Sequence, residues 1–357
     1  MKLVTYGSLH GPARTGLIKE DKVLDLIEIQ NALGKAPPAY FDSMAQLIGA
    51  GDEGLAEVRF IERKAPKAWG YSVDKVDLKA ALYDPIRMRQ SCLYFDSINE
   101  IVERVATQEA ARASDPEKAK RERIEQLSDT LRIHRAIRNG DPEKELRDAG
   151  IYFRLHKGDP PKNLRDEMPS YWSMDALCAS QPGDEVKVPA FVDKPQFSAQ
   201  VGAVIGRKGV DIPLDKASNY IFGYVLIHDM SIRNRAPSGA MSGRIGSIPL
   251  RPGADFAGCF GLGPIIVTKD EFALDKEPFS VSLNSQEIAK RVPGSPTYSF
   301  EDAIKYLSRN VDMHPTDVIA SGPLPGLSSL MVDKEINRGD LIELRSAKLG
   351  TLRTKFT

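Results

Sequence analysis

Cysteine is scarce in this 357-residue chain. Cys92, Cys178 and Cys259 stand far apart and form no CxxC pair. That spacing argues against a disulfide framework and against a zinc–cysteine site, and it fits a reducing compartment. An excess of charge is also missing, since 49 Lys and Arg residues balance 49 Asp and Glu residues. Nothing electrostatic therefore recommends nucleic acid or an anionic membrane as a partner. No run of about 18 apolar residues is present to span a bilayer. The opening MKLVTYGSLHGPARTG has no apolar signal core, so a cytoplasmic protein is expected. The sequence lacks a GxSxG elbow, and GRKG and GLGP read as turns, not phosphate loops. Internal repeats are absent too. Cys92 and Cys259 have no histidine close in sequence and read as structural thiols.

What is present is strand, turn and one charged helical stretch. KLVTYG and RTGLIKEDKVLDL alternate apolar and polar residues around turn signals, and YFDSMAQLIGAG has helical spacing that stops at glycine. These predict a small α+β domain over residues 1–76. Residues 98–149 are packed with Glu, Lys, Arg and Ala, and SDPEK and NGDPEK interrupt them. They read as two or three amphipathic helices: a solvated excursion, a lid or a dimer arm. From Gly150 onward short strands dominate: IYFRLH, DEVKVPAFV, SAQVGAVIG, NYIFGYVLIHD, GPIIVT, FSVSLNSQEI, TDVIASG and DLIELRS. One helix, SFEDAIKYLSRN, opens on Ser299 followed by acidic residues. Repeated βαβ alternation is missing, so a mostly antiparallel, rolled or sandwiched β body is expected.

The order of the motifs resembles the fumarylacetoacetate hydrolase family. VGAVIGRKGVDIPLDKASNYIFGYVLIHDMSIRNR is similar to the family core, GADFAGCFGLGPIIVTKDEF to its Lys-x-Phe…Gly-Pro segment, and TDVIASGPLPG to its Gly-Thr-Pro loop. INRGDLIELRSAKLGTLRTKF resembles the closing strand and glycine turn. The resemblance implies an α+β fold. Its catalytic part is a rolled mixed β-sandwich over residues 77–357, and a small β-rich domain and the 98–149 helical insertion are attached. It also implies a homodimer, and hydrolysis, decarboxylation, hydration or isomerisation of small keto or diketo acids, with magnesium, manganese or calcium polarising the substrate.

The same resemblance exposes the chemistry this chain lacks. The family's Glu-x-Glu pair falls on Ser198 and Gln200, while its third carboxylate is kept as Asp229. Each lost carboxylate removes a Coulomb attraction on the scale of about 4 kcal/mol at an effective dielectric of about 20. Metal binding is therefore expected to be absent, or weak magnesium or manganese binding at best. The family histidine falls on Ser97 or Ile98, which leaves Asp96 and Glu100 as the nearby groups able to take a proton, and Gln90 follows Arg89 where Asp is often found. The family lysine falls on Ala254, and the Gly-Thr-Pro loop on Gly322, Pro323 and Leu324. The candidate catalytic residues are Asp229, Asp96 and Glu100. The candidate ligand contacts are Ser198, Gln200, Arg233, Arg244, His156 and Lys157, with Arg235 and Arg244 in a Gly/Ser-rich loop suited to clamp a carboxylate. Asp229 and Arg233 also read as a structural ion pair. His228, adjacent to Asp229, is expected on the opposite face.

Three functions stay open on these residues. One is a keto-acid hydrolase or lyase that acts without the metal. Another is an inactive relative that binds a small carbonyl or carboxylate ligand or serves as a structural subunit. The last is a conventional metal enzyme recruiting Asp193 or Asp96.

Overall fold

The computed structural model describes residues 1–7, 12–83, 85–94, 107, 110–111, 114–122, 171–189, 195–232, 256–332 and 334–357. Of the 98–149 segment only 107, 110–111 and 114–122 are described, and 116–122 are helical. Among the described residues seventeen strands run in chain order. They are β1 (Lys2–Gly7), β2 (Arg14–Lys19), β3 (Lys22–Asp25), β4 (Tyr71–Ser72), β5 (Asp77–Leu78), β6 (Met88–Ser91), β7 (Tyr171–Met174), β8 (Ala179–Ser180) and β9 (Glu185–Val186). There follow β10 (Pro195–Ile205), β11 (Ile221–Ile232), β12 (Phe260–Thr268), β13 (Phe279–Leu283), β14 (Gln286–Arg291), β15 (Val318–Ala320), β16 (Leu341–Ser346) and β17 (Gly350–Phe356).

Twelve strands form one sheet, ordered β4-β3-β2-β1-β12-β11-β10-β15-β6-β7, with β5 beside β1 and β8 beside β12. Five form a second, ordered β14-β13-β16-β17-β9. Most pairings are antiparallel; β6–β15, β8–β12 and β9–β17 are parallel. The class is α+β, and β1 pairs directly with β12, so the N-terminal strands extend the main sheet.

Alternation along the central strands sends side chains into two cores. Val201, Ala203 and Leu226 pack with Phe279, Val281, Ile342, Leu344, Leu352 and Phe356 of the second sheet. Val204, Val225, Ile227 and Ile266 point the other way and pack with Leu47, Ile48, Val58 and Ile61 from the helices Met44–Gly49 and Gly51–Lys64. Each fully buried Leu, Ile or Val of these layers contributes about 1.5–3 kcal/mol of transfer free energy.

Local sequence explains where the elements break. FSVSLNSQEI, read as one strand, is a hairpin: Leu283 pairs with Gln286 across Asn284 and Ser285, both at positive φ (50° and 69°). A two-residue turn with both residues left-handed favours Asn at its first position, and Asn284 also bonds Asp340 and the Leu341 N–H. YFDSMAQLIGAG resolves into a short turn and the helix Met44–Gly49, capped by Ser43 and ended by Gly51 at φ 57°. The predicted SFEDAIKYLSRN helix spans Phe300–Leu307 and carries a capping box between Ser299 and Asp302.

Candidate functional site

The longest antiparallel pair, β10 with β11, builds the centre. Ser198 faces Asp229 directly in its register, and Gln200, two residues on, lies on the same face. The three side chains converge. Gln200 Nε2 donates to Asp229 Oδ2 at 2.8 Å and lies 3.2 Å from Ser198 Oγ. Ser198 Oγ in turn donates to Asp229 Oδ2 at 3.5 Å, a long contact. All three are buried: Gln200 is 0% exposed, Asp229 5% and Ser198 7%.

The turn of the Gln200 amide is fixed by charge. Turned over, it would set its carbonyl oxygen against a carboxylate oxygen. With the nitrogen on Asp229, Oε1 faces away and meets no hydrogen-bond partner. Gln90 repeats the pattern. It sits on β6 opposite Ala320, which lies opposite Gly202, on the face shared by Met88, Val318 and Val204. It is 5% exposed, and its Oε1 also has no hydrogen-bond partner. The sequence singled out Gln90 only as a lost carboxylate. That it and Gln200 share one sheet face rests on a β10–β15–β6 register set by residues over a hundred positions apart.

The donor set does not fit a hard divalent cation. Such ions want several oxygens, anionic ones above all. Here one carboxylate stands between a hydroxyl and an amide, and the amide presents its nitrogen at the point the three side chains share. Among the described residues, no group of three or more His, Cys, Asp or Glu is placed to hold a metal ion.

Other candidates take structural places. His228 points to the opposite face, as the alternation predicts, and its Nδ1 meets Thr354 Oγ1 of the second sheet at 2.9 Å. Burial lowers its pKa to about 4, a backbone hydrogen bond at Gly258 opposing the shift. Arg89 bonds the Leu307 carbonyl at 3.1 Å, at the negative end of the helix Phe300–Leu307, and so serves as a helix cap. Burial pushes the Cys92 thiol up to about 12, which removes it as a thiolate nucleophile, and Cys259 is a buried thiol. The loop after β15 packs on β10: Leu324 N–H donates to the Ala199 carbonyl, and Ser321 Oγ accepts from Val201 N–H. Gly322, at φ 75°, admits no side chain, because a Cβ would stand 2.6 Å from the Ser91 carbonyl oxygen. Leu324 is a core residue, 1% exposed.

Asp96, Glu100, His156, Lys157, Arg233 and Arg244 lie outside the described residues, as do Asp193, Arg235 and Ala254. The described site therefore brings together Ser198, Gln200 and Asp229, with Gln90 on the same face. No helix of the described residues is long and apolar enough to cross a membrane.

Comparison with known proteins agrees with this architecture. The model of the fumarylacetoacetate (FAA) hydrolase C-terminal domain matches residues 137–357. An uncharacterized protein of Staphylococcus epidermidis is 28% identical over 193 residues, covering 53% of this chain and 62% of that one. The chain thus spans less than two thirds of that relative's length. Among solved structures, fumarylacetoacetate hydrolase from Exiguobacterium antarcticum superposes with a TM-score of 0.64 at 17% identity, covering 100% of this chain and 99% of the other. Maleylpyruvate hydrolase from Sphingobium sp. SYK-6, in complex with manganese(II) and pyruvate, gives 0.61 at 15% identity, with coverage of 100% and 99%. Those identities speak for the fold. With the family model matched over residues 137–357, most of its length, this chain belongs to the fumarylacetoacetate hydrolase family.

Proposed function

We propose that the chain is a hydrolase or lyase acting on a small keto- or diketo-acid compound, without the divalent cation carried by relatives such as the manganese-bound maleylpyruvate hydrolase. One observation carries the reading: the Gln200 amide nitrogen lies 2.8 Å from Asp229 Oδ2, at the centre of the Ser198–Gln200–Asp229 cluster. A carbonyl compound entering here meets one carboxylate, one hydroxyl and one amide. Asp229 is the group of the three able to move a proton. In hydrolytic C–C cleavage it takes a proton from the attacking water and returns it to the carbon that leaves with the bonding pair. Ser198, held by the long 3.5 Å contact, can turn its hydroxyl toward a developing oxyanion.

The cluster also favours a second reading, a non-catalytic relative that binds a small ligand or serves as a structural subunit. Gln200, Ser198 and Asp229 hydrogen-bond one another, and a pocket released from catalysis can keep such a network. The two are separated by incubating chelator-treated protein with an acylpyruvate and following its loss. Turnover that survives the chelator and is lost in Asp229→Asn supports the enzyme. Unchanged acylpyruvate supports the inactive relative. Homodimerisation and a cytoplasmic setting belong to the same proposal; light scattering after size exclusion tests the first.

A further inference from the structure

Two glutamine side chains are buried on one sheet face, and each has an amide oxygen without a hydrogen-bond partner. Gln200 is 0% exposed and Gln90 5%. They stand on β10 and β6 with β15 between; Gln90 aligns through Ala320 with Gly202, two residues beyond Gln200, which sets them about 12 Å apart. Between them β15 (Val318–Ala320) carries no polar side chain, and Ala320 stands between Gln90 and Gly202. A buried acceptor left unmade is costly, and native proteins rarely leave two on one face without something that donates to them. Ser198 and Asp229 retain 7% and 5% exposure where Gln200 has none, so the cluster comes nearest to solvent at that pair.

We infer that this face is a binding site for a small carbonyl compound that carries its own N–H or O–H donor beside the carbonyl, and that Gln200 sets this preference through Oε1. The inference rests on the small-carbonyl reading above and adds the polarity of the ligand. Where a cation fills such a centre, it attracts ligand oxygens that accept. Here the Gln200 nitrogen is committed to Asp229, and the amide atom left without a partner is a buried acceptor, Oε1. The ligand must therefore donate: an amide, an amine or a hydroxyl form, in place of a chelating dianion. Sites built around a buried acceptor reject analogues that lack the matching donor.

Oxamate and oxalate test this, because they differ by an amide NH2 in place of a carboxylate oxygen. Calorimetric titration of the full chain is expected to show oxamate binding at least about tenfold tighter than oxalate. The pair also differs by a unit charge. Gln200→Met, which keeps length but removes the acceptor, separates the two effects: the preference should shrink below about threefold if the acceptor causes it. Gln90→Met serves as a second variant should Gln200→Met fail to fold, and is expected to reduce the preference as well. Equal binding, tighter oxalate, no binding of either, or a preference unchanged in the folded variants would overturn the inference. An oxamate preference without acylpyruvate turnover would sink the proposed activity and leave the site standing. Turnover with oxalate preferred would do the reverse.

Discussion

Gln200 Nε2 donates to Asp229 Oδ2 at 2.8 Å across two neighbouring antiparallel strands, with both side chains buried. This bond anchors the carboxylate and sets an amide N–H, not an anionic oxygen, at the point the three side chains share. A hydrogen bond from a neutral amide to a buried carboxylate contributes about 1.5–3 kcal/mol.

Gln200→Leu should therefore destabilise the protein by about 2 kcal/mol, because it deprives a buried charge of a donor. Adding Asp229→Leu to that variant should recover part of the loss, since the charge goes with its partner. Urea unfolding of the wild type, both single variants and the double variant checks this; strictly additive losses would contradict the coupling.

His228 predicts a pH dependence. Its pKa falls from 6.5 to about 4 on folding, chiefly through burial between the sheets. A depressed histidine is protonated more readily in the unfolded chain. Its contribution is thus fully present above pH 6.5 and lost as pH falls toward about 4. The loss amounts to about 3 kcal/mol. His228→Gln should flatten the stability curve in that window relative to wild type. Parallel curves for the two proteins would show that His228 is not the group responsible.

Gly261 lies under the same imidazole. A Cβ there would stand 2.5 Å from His228 Cε1 and 2.7 Å from Ser180 Oγ. Gly261→Ala should cost about 1–3 kcal/mol by overpacking. A thermal melt within error of wild type would mean that the ring and Ser180 give way freely.

Much of this was readable in the chain and some was not. Alternation along SAQVGAVIG and NYIFGYVLIHD put Ser198 and Gln200 on one face and His228 on the other, because strand period depends only on local geometry. The Ser299 cap and the helix after it are equally local. The FSVSLNSQEI hairpin was hidden because its Asn284-Ser285 turn carries no glycine, leaving the polar run Asn284–Glu287 as its one mark. Gln90 joins the face of Gln200 only through β15, and sheet order is set by long-range packing that no window of sequence contains. Arg89 as a cap on a helix more than two hundred residues away was invisible for the same reason.

The central claim is that the Ser198–Gln200–Asp229 centre has exchanged a cation for an amide. Its most direct test is a manganese titration of chelator-stripped protein, followed by calorimetry or by electron paramagnetic resonance of the free ion, with Ser198→Glu/Gln200→Glu as the comparison. The account predicts no saturable binding by the wild type below about 1 mM, and binding at least about tenfold tighter once two carboxylates are returned beside Asp229. Stoichiometric binding by the wild type at or below about 100 μM would contradict it.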